Sequence, residues 1–343
     1  MAISDHAFID AWRQVLSLSR LEAGQTVTLL TSASTHPQTL SCAMIAAQSL
    51  GAIVNRLDLP PINGEKAFSR DALAYLGTTP LSGNPAAIAA LKASDLVLDL
   101  MTLLFSPEQH DILQTGTKIL LAVEPPEVLM RMVPTQADKE RVTTASARIA
   151  AAKEMQVKSE AGTDLRCPLG EFPAISEYGF VDEPGRWDHW PSGFTLTWPN
   201  EGQANGTIVI DRGDILLPQK CYVQDPIVLT VENGFATRIE GGLSADLLKD
   251  YMETFNDPEA YAISHIGWGL QPRARWSTLG LYDREATIGM DARAFEGNFL
   301  FSLGPNNEAG GTRTTTCHID IPLRHCTVSL DGQAVVTNGK VVD

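Results

Sequence analysis

The sequence predicts an α/β N-terminal domain with a mostly parallel sheet, followed by a β-rich (α+β) C-terminal metal-binding domain. Three observations carry this. Short apolar runs alternate with helical segments up to about residue 123. Beyond about residue 155, strand-like runs are joined by Asn-Gly and Asp-Gly turns. The chain has 343 residues, 44% of them hydrophobic, enough for two cores. The expected division is 1–155 and 156–343.

Taken in order, Phe8, Trp12, Val15 and Leu16 fit one face of an N-terminal helix. No basic segment followed by an apolar run marks a signal peptide there, and no run is long enough to span a bilayer. "QTVTLLTS" reads as a strand, "PQTLSCAMIAAQSLG" as a helix closed by Gly51, and "AIVNRLDL" as a second strand. "PAAIAALKAS" is helical, while "LVLDL" and "KILLAV" suit buried parallel strands. A polar-faced helix covers roughly residues 135–154. Then "MQVKSEAGTDLRCPL" forms a hairpin turning at Ala161-Gly162. "GTIVIDRGDILLP", "IVLTVENGFATRIEG" and "CTVSLDGQAVVTNGKVV" supply further strands, interrupted by the helix "SADLLKDYMETF".

Composition removes several classes of function. With 26 basic and 41 acidic residues the formal charge is −15, which argues against nucleic acid and against an anionic membrane surface. The five cysteines are scattered and form no C-x-x-C, so a reducing, cytoplasmic setting is expected. The turn after the first strand, "TSASTHPQT", lacks the glycines that let backbone approach a pyrophosphate. "GPNNEAGG" is glycine-rich but precedes a strand, so it reads as a loop.

The chemistry concentrates in "TTTCHIDIPLRHC". In a strand, His318 and Asp320 project from one face, so they can converge on a metal or pair on a sheet surface. His265, in "AYAISHIGWGLQP" with glycines on both sides of Trp268, is a candidate third ligand or a core histidine. Two histidines and one carboxylate leave open positions that suit Fe(II) binding both O2 and an organic substrate. His189 lies between Trp187 and Trp190, which reads as an aromatic-ligand pocket or as a packing cluster. Arg293, in "MDARAFEGNFLF", is a substrate-binding cation or an ion-pair partner. His6, His36, His110 and His325 read as surface or turn residues.

The stretches "LAVEPPEVLMRM", "EYGFVDEPGRWDHWPSGF", "YMETFNDPEAYAISHIGWGLQPRARW", "MDARAFEGNFLFSLGPN" and "CHIDIPLRHC" make nearly the whole chain resemble the 2,5-dihydroxypyridine 5,6-dioxygenases of bacterial nicotinate degradation. That resemblance implies a mononuclear non-haem Fe(II) held by His265, His318 and Asp320, a small N-heterocyclic aromatic substrate, O2 and a homo-oligomer. For such a reaction His189 is expected as the acid/base, Arg293 to orient a polar substituent or stabilise charge on the intermediate, Glu177 as a further catalytic residue of the pocket, Ser302 as a substrate-binding residue, and Leu104 and Phe105 as an apolar wall. The family can carry a histidine in the segment that here reads "MTLLFSPEQ", where this chain has Phe105. The fold also resembles the thermophilic metallo-aminopeptidases, which use two metals. Their pattern favours a Glu where His265 stands, and "NFLFSLGPN" offers Asn298 and Ser302 but no histidine. A non-catalytic ligand-binding protein is the third alternative, and metal content separates the three.

Overall fold

The computed structural model of the protein describes residues 3–60, 79–103, 106–284 and 286–342. The first compact unit comprises Met1–Lys139, Glu177–Ser192 and Glu285–Met290. Its N-terminal helix, Asp5–Leu18, starts where the Ser4 hydroxyl accepts from the Ala7 amide at 3.3 Å. The helix buries the face formed by Phe8, Trp12, Val15 and Leu16, and Trp12 meets Trp190 edge-on with ring centroids 4.8 Å apart. A parallel sheet has the order Ile53–Asp58, Thr26–Thr31, Leu96–Asp99, Lys118–Leu121, Trp187–His189. The two middle strands, "LVLD" and "KILL", are buried throughout, as expected of strands covered on both faces.

The fifth strand is the one that sequence reading missed. Trp187–His189 pairs with Lys118–Leu121, with Leu121 opposite His189. It is only three residues long and lies well beyond the expected boundary near residue 155. The chain thus returns to the first unit after the hairpin Glu154–Ser159/Asp164–Pro168, and no single cut separates the two units.

The second unit comprises Glu140–Ser176, Gly193–Arg284 and Asp291–Asp343. An eight-stranded antiparallel sheet contains the expected hairpins. In another sheet, four antiparallel strands lie in the order Ile319–Leu323, Phe299–Leu303, Ile263–Gly269, Phe194–Thr197. Every residue of these four strands is buried. His265 lies inside a central strand, and His318, expected within a strand, sits one residue before it. "GPNNEAGG" contains only the short 3-10 turn Asn307–Ala309. Among the described residues, no helix is long and apolar enough to cross a membrane.

Gly267 shows how closely these strands pack: a Cβ added there would lie 1.9 Å from the Thr195 carbonyl oxygen. Gly267→Ala should destabilise the protein by about 1–3 kcal/mol or more, because backbone must shift to admit the methyl group. Gly280→Ala, whose added carbon meets nothing nearer than 3.9 Å, is the control. Denaturant midpoints measure both, and equal midpoints would refute the packing argument.

Candidate metal centre

The pairing of Ile263–Gly269 with Phe299–Leu303 runs Ile263 to Leu303, then Ile266 to Phe301. Three steps on one strand match two on the other, so one extra residue is inserted around Ser264 and His265. This is a β-bulge, a device that re-aims a side chain. The Ser302 hydroxyl covers the interrupted ladder by accepting from the His265 amide at 2.9 Å. Ser302 is fully buried and stands directly opposite Asp320 on the next strand. Its hydroxyl therefore holds the backbone of His265.

His265, Ser302 and Asp320 come from three adjacent strands, with His318 just outside the third. The His265 and His318 Nε2 atoms are 3.3 Å apart. Asp320 Oδ1 lies 3.0 Å from the first and 3.2 Å from the second. Donors at about 2.1 Å from one ion, separated by right to tetrahedral angles, lie roughly 3.0–3.4 Å from each other. All three separations fall in that range. The side chains are 7–12% exposed, so the donor set is nearly dry yet reachable. These residues fit a single metal ion.

Arg293, in the short helix Met290–Ala294, reaches the other oxygen of Asp320, with Nε 2.5 Å from Oδ2. Asn298 anchors that helix by donating to the Arg293 carbonyl at 2.8 Å, while its own Oδ1 accepts from the Gly269 amide. Burial alone would raise the Asp320 carboxyl. The Arg293 guanidinium and the two imidazoles outweigh it and hold the group well below the usual carboxylate range. Asp320 is thus ionised, with Oδ1 turned to the histidines and Oδ2 engaged by Arg293.

A second buried cluster lies within the first unit. His189 ends the edge strand of the parallel sheet, on the carboxyl side where such sheets bind ligands. Its Nδ1 is 2.8 Å from the Pro191 carbonyl, which only accepts, so Nδ1 carries a proton. Its Nε2 is 2.6 Å from Glu177 Oε2. That is a hydrogen-bond distance, shorter than the separation of two donors on one ion. Asp188, beside them, already receives Arg186 and the backbone amides of Tyr178 and His189. This group fits a proton-sharing pair and not a metal. Burial pulls the His189 imidazole down, but Glu177 and Asp188 outweigh it and raise it above its ordinary value. Trp187 meets His189 edge-on at 5.2 Å, whereas Trp190 is buried against Trp12 and Phe8. Of the two tryptophans, only Trp187 flanks the imidazole. Leu104 and Phe105 lie outside the described residues.

The fold and the donor set together define a class: α/β chains whose β-rich part brings two histidines and one carboxylate close enough to hold a metal ion. The comparisons with known proteins narrow it further. The chain belongs to the 2,5-dihydroxypyridine 5,6-dioxygenase (NicX) family, whose model matches residues 7–343. It is 56% identical over 342 residues to 2,5-dihydroxypyridine 5,6-dioxygenase of Pseudomonas putida KT2440, covering 100% of this chain and 98% of that protein. The solved structure of 2,5-dihydroxypyridine dioxygenase from Pseudomonas putida KT2440 superposes with a TM-score of 0.97, covering 99% and 98% of the two chains at 56% identity. Wild-type AmpT from Thermus thermophilus shares the fold alone, with a TM-score of 0.62 at 14% identity over 98% and 99% of the chains.

Replacing His265, His318 or Asp320 by Ala should abolish metal retention while leaving the circular dichroism unchanged. Arg293→Gln should weaken retention by about 10–100-fold, as expected for a group that orients a ligand. Metal titration of the purified variants checks both, and an Asp320→Ala protein with wild-type occupancy would refute the donor set.

Proposed function

We propose that this chain is a ring-opening dioxygenase that cleaves 2,5-dihydroxypyridine with O2 at a mononuclear non-haem Fe(II), adding both oxygen atoms to give an N-formylmaleamate-type product. The observation that carries the reading is the close approach of His265, His318 and Asp320, in a chain whose residues 7–343 match this family. When bound, ferrous iron supplies neighbouring open positions for O2 and for the deprotonated hydroxyl of the substrate, and the electrons that activate O2. The protein supplies the rest. Arg293 keeps one oxygen of Asp320 occupied, so the carboxylate offers the iron the other. The substrate hydroxyl must lose a proton on binding, and the opened ring must regain one. His189 handles that proton at Nε2, with Glu177 as its store. Homo-oligomeric assembly and a cytoplasmic setting belong to the same reading.

His189→Ala should leave iron binding intact and lower turnover by roughly a hundredfold or more, as for a general acid–base group. The pH dependence has a definite sign. A histidine raised by its partner contributes stability that is complete below about pH 6.5 and is lost as pH rises through the raised value. The loss of turnover on the alkaline side should follow that value, and Glu177→Gln should move it to lower pH. A profile unmoved by Glu177→Gln would remove the pair from the reaction.

The reading as a whole is tested by anaerobic Fe(II) reconstitution followed by oxygen uptake with a panel of hydroxypyridines. About one iron per chain and uptake with 2,5-dihydroxypyridine are expected. Two zinc or cobalt ions per chain would indicate a peptidase instead. Phe105→His should raise turnover of 2,5-dihydroxypyridine per bound iron, or at least not lower it. An iron-loaded chain that ignores this substrate yet opens a differently substituted ring would sink the assignment.

A further inference from the structure

The close approach of Glu177 and His189 has to be built, because they come from different segments. Glu177 ends the short strand Ile175–Glu177, and His189 ends the edge strand Trp187–His189. On an edge strand, alternate amides face away from the sheet. The Trp190 amide turns inward and donates to the Leu121 carbonyl at 2.8 Å. The His189 amide therefore faces the open side, where Asp188 Oδ1 accepts it at 2.8 Å. Asp188 Oδ2 accepts the amide of Tyr178, the residue after Glu177, at 2.9 Å. One side chain thus does at this edge what another strand would do elsewhere: it joins the Glu177 segment to the His189 strand. Asp188 is fully buried, and Arg186 balances its charge through a 2.8 Å bond to Oδ2. The Arg186 guanidinium lies 3.8 Å over the Tyr178 ring, so the cation is itself held in place. The Tyr178 hydroxyl in turn donates to Asp182 at 2.7 Å.

We propose that Asp188, braced by Arg186, is a positioning residue for the reaction: it fixes Glu177 and His189 at proton-sharing distance by tying their backbones together. This rests on the reading of the pair as the proton-handling group. The charged groups around the imidazole in this cluster are Glu177, Asp188 and, through Asp188, Arg186.

The experiment compares Asp188→Asn in the wild-type and Glu177→Gln backgrounds, using the full-length, iron-loaded chain. An Asn side chain has one accepting oxygen, so it cannot serve both the Tyr178 and the His189 amides as the carboxylate does. Bound iron should be unchanged. Turnover per iron should fall roughly tenfold or more in the wild-type background. In the Glu177→Gln background Asp188→Asn should add little, because the distance it sets no longer matters. The His189 titration, followed by NMR of isotope-labelled histidine in the metal-free chain, should move to lower pH in Asp188→Asn, and by more than in the Glu177→Gln background, where only the direct loss of the Asp188 charge remains. An equal further loss in both backgrounds, or an unmoved His189 titration, would overturn the proposal. Should Asp188→Asn fail to fold, Arg186→Lys, which keeps the charge but not the planar fork, carries the same comparison. If His189→Ala leaves turnover intact, the proton-handling reading fails, yet the NMR titration still reports whether Asp188 sets the pair.

Discussion

The metal-binding geometry depends on one extra residue in the strand Ile263–Gly269. Without it, strict alternation would fix the facing of every side chain along a strand buried on both faces. The insertion turns His265 towards the Asp320 strand, and the Ser302 hydroxyl satisfies the amide that the bulge releases. The cost of leaving that buried amide unpaired would be about 1–3 kcal/mol. A small residue at 302 also suits the row, because Ser302 stands directly between the two ligand strands. Gly267 completes the arrangement, letting the ligand strand press against Thr195.

Both buried clusters use the same electrostatic device. A carboxylate withdrawn from water is costly unless it is paired and fully bonded. Asp320 is paired with Arg293 on one oxygen, leaving the other for the histidines. Asp188 is paired with Arg186 and spends its remaining capacity on backbone amides. The same pairing gives different results because of what faces the free lone pairs. Imidazole nitrogens make a donor set for a cation, whereas backbone amides make a structural clamp. Both arginines are held through further contacts: Asn298 bonds the Arg293 carbonyl, and the Tyr178 ring lies beneath the Arg186 guanidinium. A loosely held cation would let either carboxylate rotate.

Much of this was legible in the sequence, for physical reasons that differ by element. The parallel strands were visible as unbroken apolar runs, and the C-terminal hairpins through Asn-Gly and Asp-Gly turns. His318 and Asp320 stood out because H-x-D spacing is local. The strand Trp187–His189 was not legible, since three residues with one apolar member carry no periodic signal and the partner strand is far away in sequence. The bulge did leave a trace: in "ISHIGWG" the apolar residues Ile263 and Ile266 are three apart where alternation requires two or four. Asp188 left none, and nothing in the sequence showed that Ser302 would bond the His265 amide. Their importance comes from which backbone amides they bond, and that is set by pairings distant in sequence.

What surrounds the three donor atoms bears on the proposed single-metal reading as much as the donors themselves. A second ion would need its own set of deprotonated oxygens or nitrogens at about 2 Å. Beside Asp320, the nearest candidates in the sheet are already spent: Ser302 on the His265 amide, and Asn298 on Gly269 and Arg293. The outer oxygen of Asp320, which could bridge two ions, carries a guanidinium instead. A fixed positive charge in that place repels a second cation while it secures the first ligand. The facing atoms of Glu177 and His189 lie 2.6 Å apart, shorter than the separation of two donors on one ion. The likeness of this fold to AmpT therefore does not extend to chemistry through the fold alone. The Arg293 guanidinium on one oxygen of Asp320 is the feature here that favours the single-ion reading proposed above.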